Sequence, residues 1–274
     1  MADDVKHDML LGVHTPLVDE YSPQLLYPIP RSEARDRLGL KQPLPFAGAD
    51  LWYAYEMSWL DHTGKPVARV GRFTIPASSP NMVESKSFKL YLNSLNNTCF
   101  ISDEVAAATI KRDIGTVVGE DVTLELFDPD DRSLAGTRLS AVCLDDLPVA
   151  AGAVEPEATM LTIESTGAVE EQLYSHLLRS LCPVTAQPDW ATVWIHYRGA
   201  RIDHISLLQY IIAYRRHQEF HEQCVERMYN DIWLRGTPEF LHIQAFYTRR
   251  GGLDINPFRS SDPAARPLPR LNRQ

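Results

Sequence analysis

Hydrophobic and polar positions follow the same order in two stretches of the chain. In the first stretch, the aromatic-rich run 51–60 and the run 66–76 flank a polar turn and predict two paired strands. Apolar residues then recur on one helical face within 84–95, and Ser102 is placed to cap a second helix. The segment 121–128 alternates polar and apolar residues, which predicts a closing strand.

The second stretch follows a related order. We expect a helix over about 168–181, a strand over 190–199, helices over 204–217 and 219–234, and a closing strand over 240–251. Strands and helices do not alternate singly, which disfavours a doubly wound parallel sheet. The pattern instead predicts a duplicated α+β fold with antiparallel sheets and paired helices on one face.

Composition shifts suggest how the chain divides. The segment 144–159 is acidic and rich in Pro, Ala and Gly, which is typical of a linker. We therefore expect a first unit over 46–143 and a second over 160–262. The N-terminal extension 1–45 and the tail 263–274 lack periodicity and are expected to be irregular.

Composition and charge exclude several classes of function. Of the 274 residues, 44% are hydrophobic and 23% charged, which is typical of a globular protein with a substantial core. The net charge of −9 argues against a nucleic-acid backbone as the main partner. The sequence has no apolar run long enough to span a bilayer and no secretory signal, and its four cysteines form no CxxC pair. These features predict a cytoplasmic protein without a membrane partner.

The segment SLCPVTAQPDW (180–190) carries the most distinctive candidate chemistry. A thiol such as that of Cys182 adds to electrophilic carbon, and a carboxylic acid such as Asp189 can protonate the atom that receives the electrons. A buried structural cysteine and an ordinary turn aspartate explain the same residues equally simply. Pro183 has no N–H with which to hold an oxyanion, which disfavours a hydrolase built on this loop.

Two further residues open a predicted helix. Glu222 gains from the helix dipole at that position, or alternatively accepts hydrogen bonds from the N–H edge of a purine-like ring. His217 and His221 share a helix face four residues apart, but no third metal ligand is evident. We therefore expect no metal site.

Basic residues gather at two places that suit a phosphate. Ser85, Lys86 and Lys89 open a helix, where backbone N–H groups favour anions. Arg250 and Gly251 end a predicted strand and could grip phosphate through guanidinium and close backbone approach. A solvated basic face and a charged turn remain the alternatives. The chain has neither a G-x-G-x-x-G fingerprint nor a Walker A motif.

Taken together, several of these motifs resemble one enzyme family. SLCPVTAQPDW, EFHEQCVERMYNDI, YTRRGGLDINPFRS and ESKSFKLYLNS are similar to motifs of the two-module NADPH-dependent 7-cyano-7-deazaguanine reductases. They occur in the same order and span about residues 45–262. The resemblance implies tandem units of the tunnelling fold (T-fold), which is related to GTP cyclohydrolase I.

The resemblance also implies a reaction. The nitrile of 7-cyano-7-deazaguanine (preQ0) would be reduced by four electrons to the primary amine preQ1, with two NADPH consumed, on the route to queuosine in tRNA. Cys182 matches the nucleophile that forms a covalent thioimide, and Asp189 matches the proton donor.

Binding roles follow from the same motifs. The resemblance assigns substrate contacts, including a Glu222 contact to the deazaguanine edge, to Val83, Glu84, Ser85, His221 and Glu222. It assigns NADPH contacts to Ser85, Lys86, Arg250 and Gly251. It further implies a site assembled from both units, and a homodimer.

Two alternatives to the reductase stay open at the level of sequence. One is a cysteine-dependent nitrile or amide hydrolase on the same fold, which would normally use a glutamate and a lysine. Every lysine lies at or before Lys111, so the second unit has none. The other alternative is a non-catalytic purine- or pterin-binding module in which Cys182 is inert.

Overall fold

The secondary structure is an α+β arrangement dominated by long strands. The computed structural model describes residues 18–150, 152 and 155–274, without the side chains of 165 and 166. The strands are β1 (Pro28–Pro30), β2 (Ala47–Leu60), β3 (Pro66–Pro76), β4 (Asn81–Val83), β5 (Thr123–Phe127), β6 (Val142–Cys143), β7 (Ile163–Leu181), β8 (Pro188–Ile202), β9 (Phe240–Tyr247) and β10 (Leu253–Ser260). The α-helices are α1 (Ser32–Arg37), α2 (Ser85–Ser94), α3 (Asp103–Val118), α4 (His204–Ala213) and α5 (His221–Gly236).

The described chain divides into two compact units. The first contains residues 18–33, 50–134 and 249–254. The second contains the remaining described residues, including 34–49 and 255–274. Each unit is therefore built from more than one stretch of sequence. The division of the chain into continuous segments around a linker at 144–159 stays a prediction.

The first unit pairs its strands in the order β5-β3-β2, with β3 and β5 antiparallel. The side chain of Ser102 caps α3, and Gly119 ends that helix with a left-handed φ of 78°. Phe88 on α2 packs edge-on against Trp52 and Phe73, at ring separations of 5.3 and 5.0 Å. The predicted apolar face of α2 therefore covers the sheet of this unit.

The second unit pairs its strands in the order β10-β9-β8-β7-β6. Strand β8 is antiparallel to both β7 and β9. The sequence predicts that Phe220, Cys224, Met228 and Ile232, which recur every four residues, face the core; Cys224, Met228 and Ile232 are buried, whereas Phe220, the residue before α5, is only partly buried. The two units thus share the order strand, strand, helix, helix, strand. This confirms the predicted α+β class with tandem units, antiparallel pairing and paired helices.

The predicted helix over 168–181 is wrong, because this segment lies in strand β7. Leu173 and Ser175 are buried with the two-residue period of a strand, and so are Leu178 and Ser180. The register with β8 shifts between Ser175 and Leu178. This irregularity moves the apolar residues from a two-residue period to a spacing that imitates a helix.

Strand β10 was not predicted, and the closing strand expected over 240–251 ends at Tyr247. Pro257 lies inside β10, and proline argues against a strand interior because it cannot donate a backbone hydrogen bond. Strand β10 nevertheless pairs with β9 through Phe258, opposite Gln244, and every residue of β10 is buried. The segment 1–45, expected to be irregular, contains β1 and α1 within its described part.

A buried carboxylate joins three parts of the second unit. Glu226 on α5 accepts hydrogen bonds from Arg35 at 2.9 and 2.7 Å and from Arg259 at 3.1 and 2.8 Å. The ring of Phe46 lies 5.9 Å from the Arg35 guanidinium and 5.6 Å from that of Arg259. These contacts fix α5 against α1 and β10.

In the described residues, no helix is long and apolar enough to cross a membrane.

Gly48→Ala should destabilise the protein strongly. Gly48 has a φ of 150°, and an added Cβ would collide with the backbone carbonyl of Phe258. Gly64→Ala is a matched control, because Gly64 also has a positive φ, 83°, but nothing lies within 4 Å of an added Cβ. We expect Gly48→Ala to lower the free energy of unfolding by at least about 3 kcal/mol and Gly64→Ala by about 1 kcal/mol, measured by urea denaturation. Equal losses would show that close backbone approach does not matter at Gly48.

Candidate active site

Cys182 opens the tight loop that joins β7 to β8. Its N–H donates to the Gln187 carbonyl at 2.9 Å, and its own carbonyl accepts from the Ala186 N–H at 2.9 Å. Ala186 adopts a left-handed φ of 55° to close the loop. The Cys182 side chain is only 3% exposed. The loop therefore holds a buried thiol in a defined position.

Asp189 lies on β8 close to this loop. It is directly opposite Ser180 in the β7–β8 register, one step beyond the pair formed by Leu181 and Pro188. Side chains alternate between the two faces of a sheet, so Ser180, Cys182 and Asp189 belong to the same face. All three are buried, which agrees with this assignment. The structure thus brings the predicted thiol and carboxyl group to one face of one hairpin.

His221 contacts Asp189 directly. Its Nε2 lies 3.3 Å from Asp189 Oδ2, and Asp189 is only 7% exposed. The ring of His221 stacks on Tyr247 at 3.8 Å between centroids, with 24° between the planes. Because this stacking holds the ring plane, His221 presents a fixed edge to the carboxyl group. A buried Asp189 and a partly exposed His221 therefore form an acid–base pair.

Glu222 follows His221 in the first turn of α5. Its side chain is 4% exposed, and the N-terminal end of the helix favours its negative charge. The backbone N–H of Phe220 donates to Gln223 Oε1 at 3.3 Å and caps the same turn. The turn that carries His221 and Glu222 is therefore fixed by the helix itself.

An ionic network positions the base of the Cys182 loop. The N–H of Leu181 donates to the carbonyl of His217 at 2.8 Å. The His217 ring lies between two carboxylates, with Nε2 2.9 Å from Glu219 and Nδ1 2.6 Å from Glu155. Glu219 also accepts from Arg227 Nε at 3.0 Å. This network ties the residue before Cys182 to the chain that leads into α5.

The network shifts the pKa values of Glu219 and His217 in opposite directions. Burial alone would raise the pKa of Glu219, but hydrogen bonds from His217 and Arg227 lower it to about 2. Burial alone would lower the pKa of His217, but its contacts with Glu219 and Glu155 raise it. Of the two histidines considered above as metal ligands, His217 contacts Glu219 and Glu155, and His221 contacts Asp189. Within the described ranges, no three His, Cys, Asp or Glu side chains group closely enough to hold a metal ion.

The predicted residues of the first unit cluster where β4 meets α2. Val83 ends β4 and is buried, and Ser85 is the first residue of α2. Glu84 caps this helix, because its carboxylate accepts from the N–H groups of Lys86 at 2.9 Å and Ser87 at 2.6 Å. Two of the amides expected to bind an anion therefore already bond to Glu84. Phosphate recognition here would depend on cationic side chains such as Lys86.

The turn that contains Arg250 and Gly251 belongs to the same unit. Lys89 Nζ donates to the Gly251 carbonyl at 2.7 Å and lies 3.1 Å from a Glu56 carboxylate oxygen. Gly251 and Gly252 both adopt positive φ, at 61° and 81°. Through Lys89, helix α2 therefore contacts the turn for which the sequence predicts a cofactor contact. Positive side chains and exposed backbone suit a phosphate-bearing group.

Sequence reasoning missed Tyr247, Glu219 and Arg227. Tyr247 ends β9, and its aromatic character fits a buried strand equally well. Glu219 and Arg227 are eight residues apart, and nothing in that spacing indicates that they contact each other or that Glu219 contacts His217.

Comparison with known proteins identifies the family to which the chain belongs. Residues 17–126 match the family described as "Nitrile reductase, 7-cyano-7-deazaguanine-reductase N-term", and residues 188–266 match the family described as "QueF-like protein". The chain is 51% identical over 267 residues to the NADPH-dependent 7-cyano-7-deazaguanine reductase of Dechloromonas aromatica (strain RCB), covering 96% of this chain and 94% of the relative. The protein of the same name from Coxiella burnetii (strain RSA 331 / Henzerling II) is 49% identical over 255 residues, covering 92% and 91%.

A solved structure, "Crystal structure of the archaeosine synthase QueF-Like in the apo form", is 16% identical and covers 38% of this chain and 100% of its own, with a TM-score of 0.31. That likeness is too weak to carry an argument. The curated relatives, by contrast, match nearly end to end at about half identity. The chain belongs to the family of NADPH-dependent 7-cyano-7-deazaguanine reductases.

Glu219→Gln should lower the free energy of unfolding at neutral pH and make that free energy depend less on pH in the acid range. A carboxyl group whose pKa falls from 4.5 to about 2 on folding stabilises the protein fully above pH 4.5, and this stabilisation is lost as the pH falls towards 2. We expect the variant to lose about 3 kcal/mol at pH 7, and the difference from wild type to narrow between pH 5 and 3. Urea denaturation across this range measures both effects.

The control is Glu155→Gln, which removes the exposed partner of His217. An exposed ion pair contributes less than about 1 kcal/mol, so this variant should resemble wild type. If Glu219→Gln showed the same small effect, the ionic network would not support the loop.

Proposed function

We propose that this protein reduces the nitrile of 7-cyano-7-deazaguanine to the primary amine, through a covalent thioimide on Cys182. By family membership it is an NADPH-dependent oxidoreductase that acts on a nitrile. One observation carries the proposal: the β7–β8 hairpin holds a buried thiol, Cys182, and a buried carboxyl group, Asp189, which His221 of α5 contacts. We further propose that the amine serves queuosine biosynthesis in tRNA and that the protein acts as a homodimer.

Cys182 would make the nitrile reactive. Its sulfur adds to the nitrile carbon, a C–S bond forms, and one π bond of C≡N breaks towards nitrogen, which takes up a proton. The resulting C=N bond accepts hydride more readily than the nitrile does. After the first reduction, the C–S bond breaks, the thiolate leaves, and the remaining imine is reduced to the amine. NADPH, when bound, supplies the hydride for each reduction.

Asp189 and His221 would handle the proton that goes to nitrogen. At a separation of 3.3 Å they can share one proton, which Asp189 then donates as the nitrogen gains charge. Asp189 is only 7% exposed, so little bulk water reaches the acid, which favours transfer to the substrate. The same dry surroundings protect the thioimide from hydrolysis, which would otherwise divert the nitrile to an amide or acid.

Recognition of the heterocycle would fall to carboxylate and backbone groups. Glu222 offers a buried carboxylate that can accept two hydrogen bonds from the N–H edge of the deazaguanine. Val83, Glu84 and Ser85 remain the proposed second group of substrate contacts. Because Glu84 caps α2 with its side chain, we propose that its backbone provides the substrate contact.

Residues of the first unit fit a phosphate-bearing cofactor. Ser85, Lys86, Arg250 and Gly251 supply a hydroxyl, two cations and glycine backbone at positive φ. Guanidinium and ammonium groups bind the phosphates of such a cofactor through charge-assisted hydrogen bonds. We propose that these four residues hold NADPH.

Cys182→Ala should abolish the covalent adduct. Wild-type protein incubated with 7-cyano-7-deazaguanine alone should gain near-ultraviolet absorbance and the mass of one substrate, and addition of NADPH should discharge the adduct with two equivalents consumed. Cys143→Ala removes an exposed cysteine and should behave as wild type in both assays. NADPH oxidation by Cys182→Ala in the presence of the nitrile would exclude the covalent mechanism.

Asp189→Asn should slow turnover by roughly 10²-fold or more, the usual contribution of a general acid. The asparagine is nearly the same size, so the unfolding midpoint should change little. Asp128→Asn, an exposed change in the first unit, provides the control. Steady-state NADPH oxidation measures the effect. Normal turnover in Asp189→Asn would show that Asp189 is not the proton donor.

A further inference from the structure

Three arginines surround one exposed tryptophan on the second unit. Trp190 follows Asp189 on β8, and its side chain is 37% exposed. The guanidinium carbons of Arg179, Arg215 and Arg273 lie 5.6, 5.6 and 5.9 Å from the centroid of its ring. They come from β7, from the 3₁₀ turn after α4 and from the C-terminal tail. Segments far apart in sequence thus converge on one ring.

Neutral backbone groups hold this cluster in place. The Arg179 guanidinium donates to the carbonyl of Arg215 at 2.9 Å. Arg273 donates to the carbonyl of His176 at 2.7 Å. In the part of the chain that the structure describes, no carboxylate lies within ion-pair distance of Arg179, Arg215 or Arg273. The cluster therefore concentrates positive charge in a protein whose net charge is −9.

The three guanidinium groups of the cluster repel one another. Each cation lies within 6 Å of one centroid, so any two of them are at most about 12 Å apart, comparable to the Debye length of about 10 Å at 0.1 M ionic strength. Arginine keeps its charge at every physiological pH, so this repulsion cannot be relieved by loss of a proton. An oxyanion bound between the guanidinium groups would relieve it.

We propose that Arg179, Arg215 and Arg273, arranged around Trp190, form a binding site for a phosphate-bearing anion. Guanidinium groups bind phosphate oxygens through paired, charge-assisted hydrogen bonds. Several cations favour a multiply charged group such as pyrophosphate over a monovalent anion. The site lies in the second unit, whereas the residues proposed above for NADPH belong to the first.

The site is coupled to the candidate catalytic hairpin through β-sheet pairing. Arg179 lies directly opposite Trp190 in the β7–β8 register, next to the pair of Ser180 with Asp189. A bound anion would draw Arg179 and Arg215 together and stiffen this end of the hairpin. Binding should therefore raise the thermal midpoint of unfolding as well as change the tryptophan emission.

Fluorescence titration tests the proposal directly. Phosphate, pyrophosphate and adenosine 2′,5′-bisphosphate are added at constant ionic strength set with chloride, and the signal of Trp190→Phe is subtracted to isolate Trp190. We expect saturable binding, with pyrophosphate at least tenfold tighter than phosphate. Arg215→Gln and Arg273→Gln should each weaken pyrophosphate binding about tenfold. Arg216→Gln changes an exposed arginine outside the cluster and should have no effect.

Each outcome has a defined meaning. Tighter binding of the nucleotide than of pyrophosphate identifies a nucleotide phosphate as the ligand, and the reverse order identifies a free phosphate species. No saturable change, or equal weakening in Arg216→Gln, would overturn the proposal and leave only general charge attraction. Adduct formation at Cys182 should persist in Arg215→Gln and Arg273→Gln, so failure here is distinguishable from failure of the nitrile reaction.

Discussion

The buried carboxylate of Glu226 is the interaction on which the second unit depends most. Two guanidinium groups, from Arg35 and Arg259, meet it away from water. Removal of the carboxylate would take this ion-pair partner from two buried cations, and breaking a buried ion pair commonly costs about 3–5 kcal/mol. These two ion pairs therefore fix the position of helix α5. Because His221 and Glu222 lie about one turn before Glu226, the same contact orients the two residues that are proposed to bind the substrate.

A second set of contacts, just before and at the first residue of α5, also holds the start of this helix. Glu219 holds His217, whose carbonyl accepts the Leu181 N–H immediately before Cys182. His221 then meets Asp189 on the opposite strand of the hairpin. The hairpin and the helix thus fix each other through backbone, ionic and acid–base contacts. A reaction that needs sulfur and proton donor in register benefits because neither can shift without the other.

Local patterns predicted most elements, and long-range contacts explain the failures. The Ser102 cap is a local signal, and the structure confirms it. Strand β7 was misread because its irregular register gave the leucines a helical spacing. The resemblance assigned a substrate contact to Glu84 without specifying the atoms, and only the structure shows that its carboxylate caps α2. Cys182 and Asp189 could be paired from sequence because one short hairpin carries both, whereas Tyr247 reaches the site only through sheet pairing.

The stacking of His221 on Tyr247 has a consequence for the proposed reaction. Each reduction adds a proton to nitrogen, so the acid must be reloaded between the two steps. A ring held flat against Tyr247 cannot rotate freely, and its Nε2 stays directed at Asp189. Because the pair shares one proton, the second proton has to come from solvent, and the fixed contact lets it pass between His221 and Asp189 without rotation of either side chain. In the proposed reaction the proton donor would therefore be Asp189 and His221 acting together, with Tyr247 as a positioning residue.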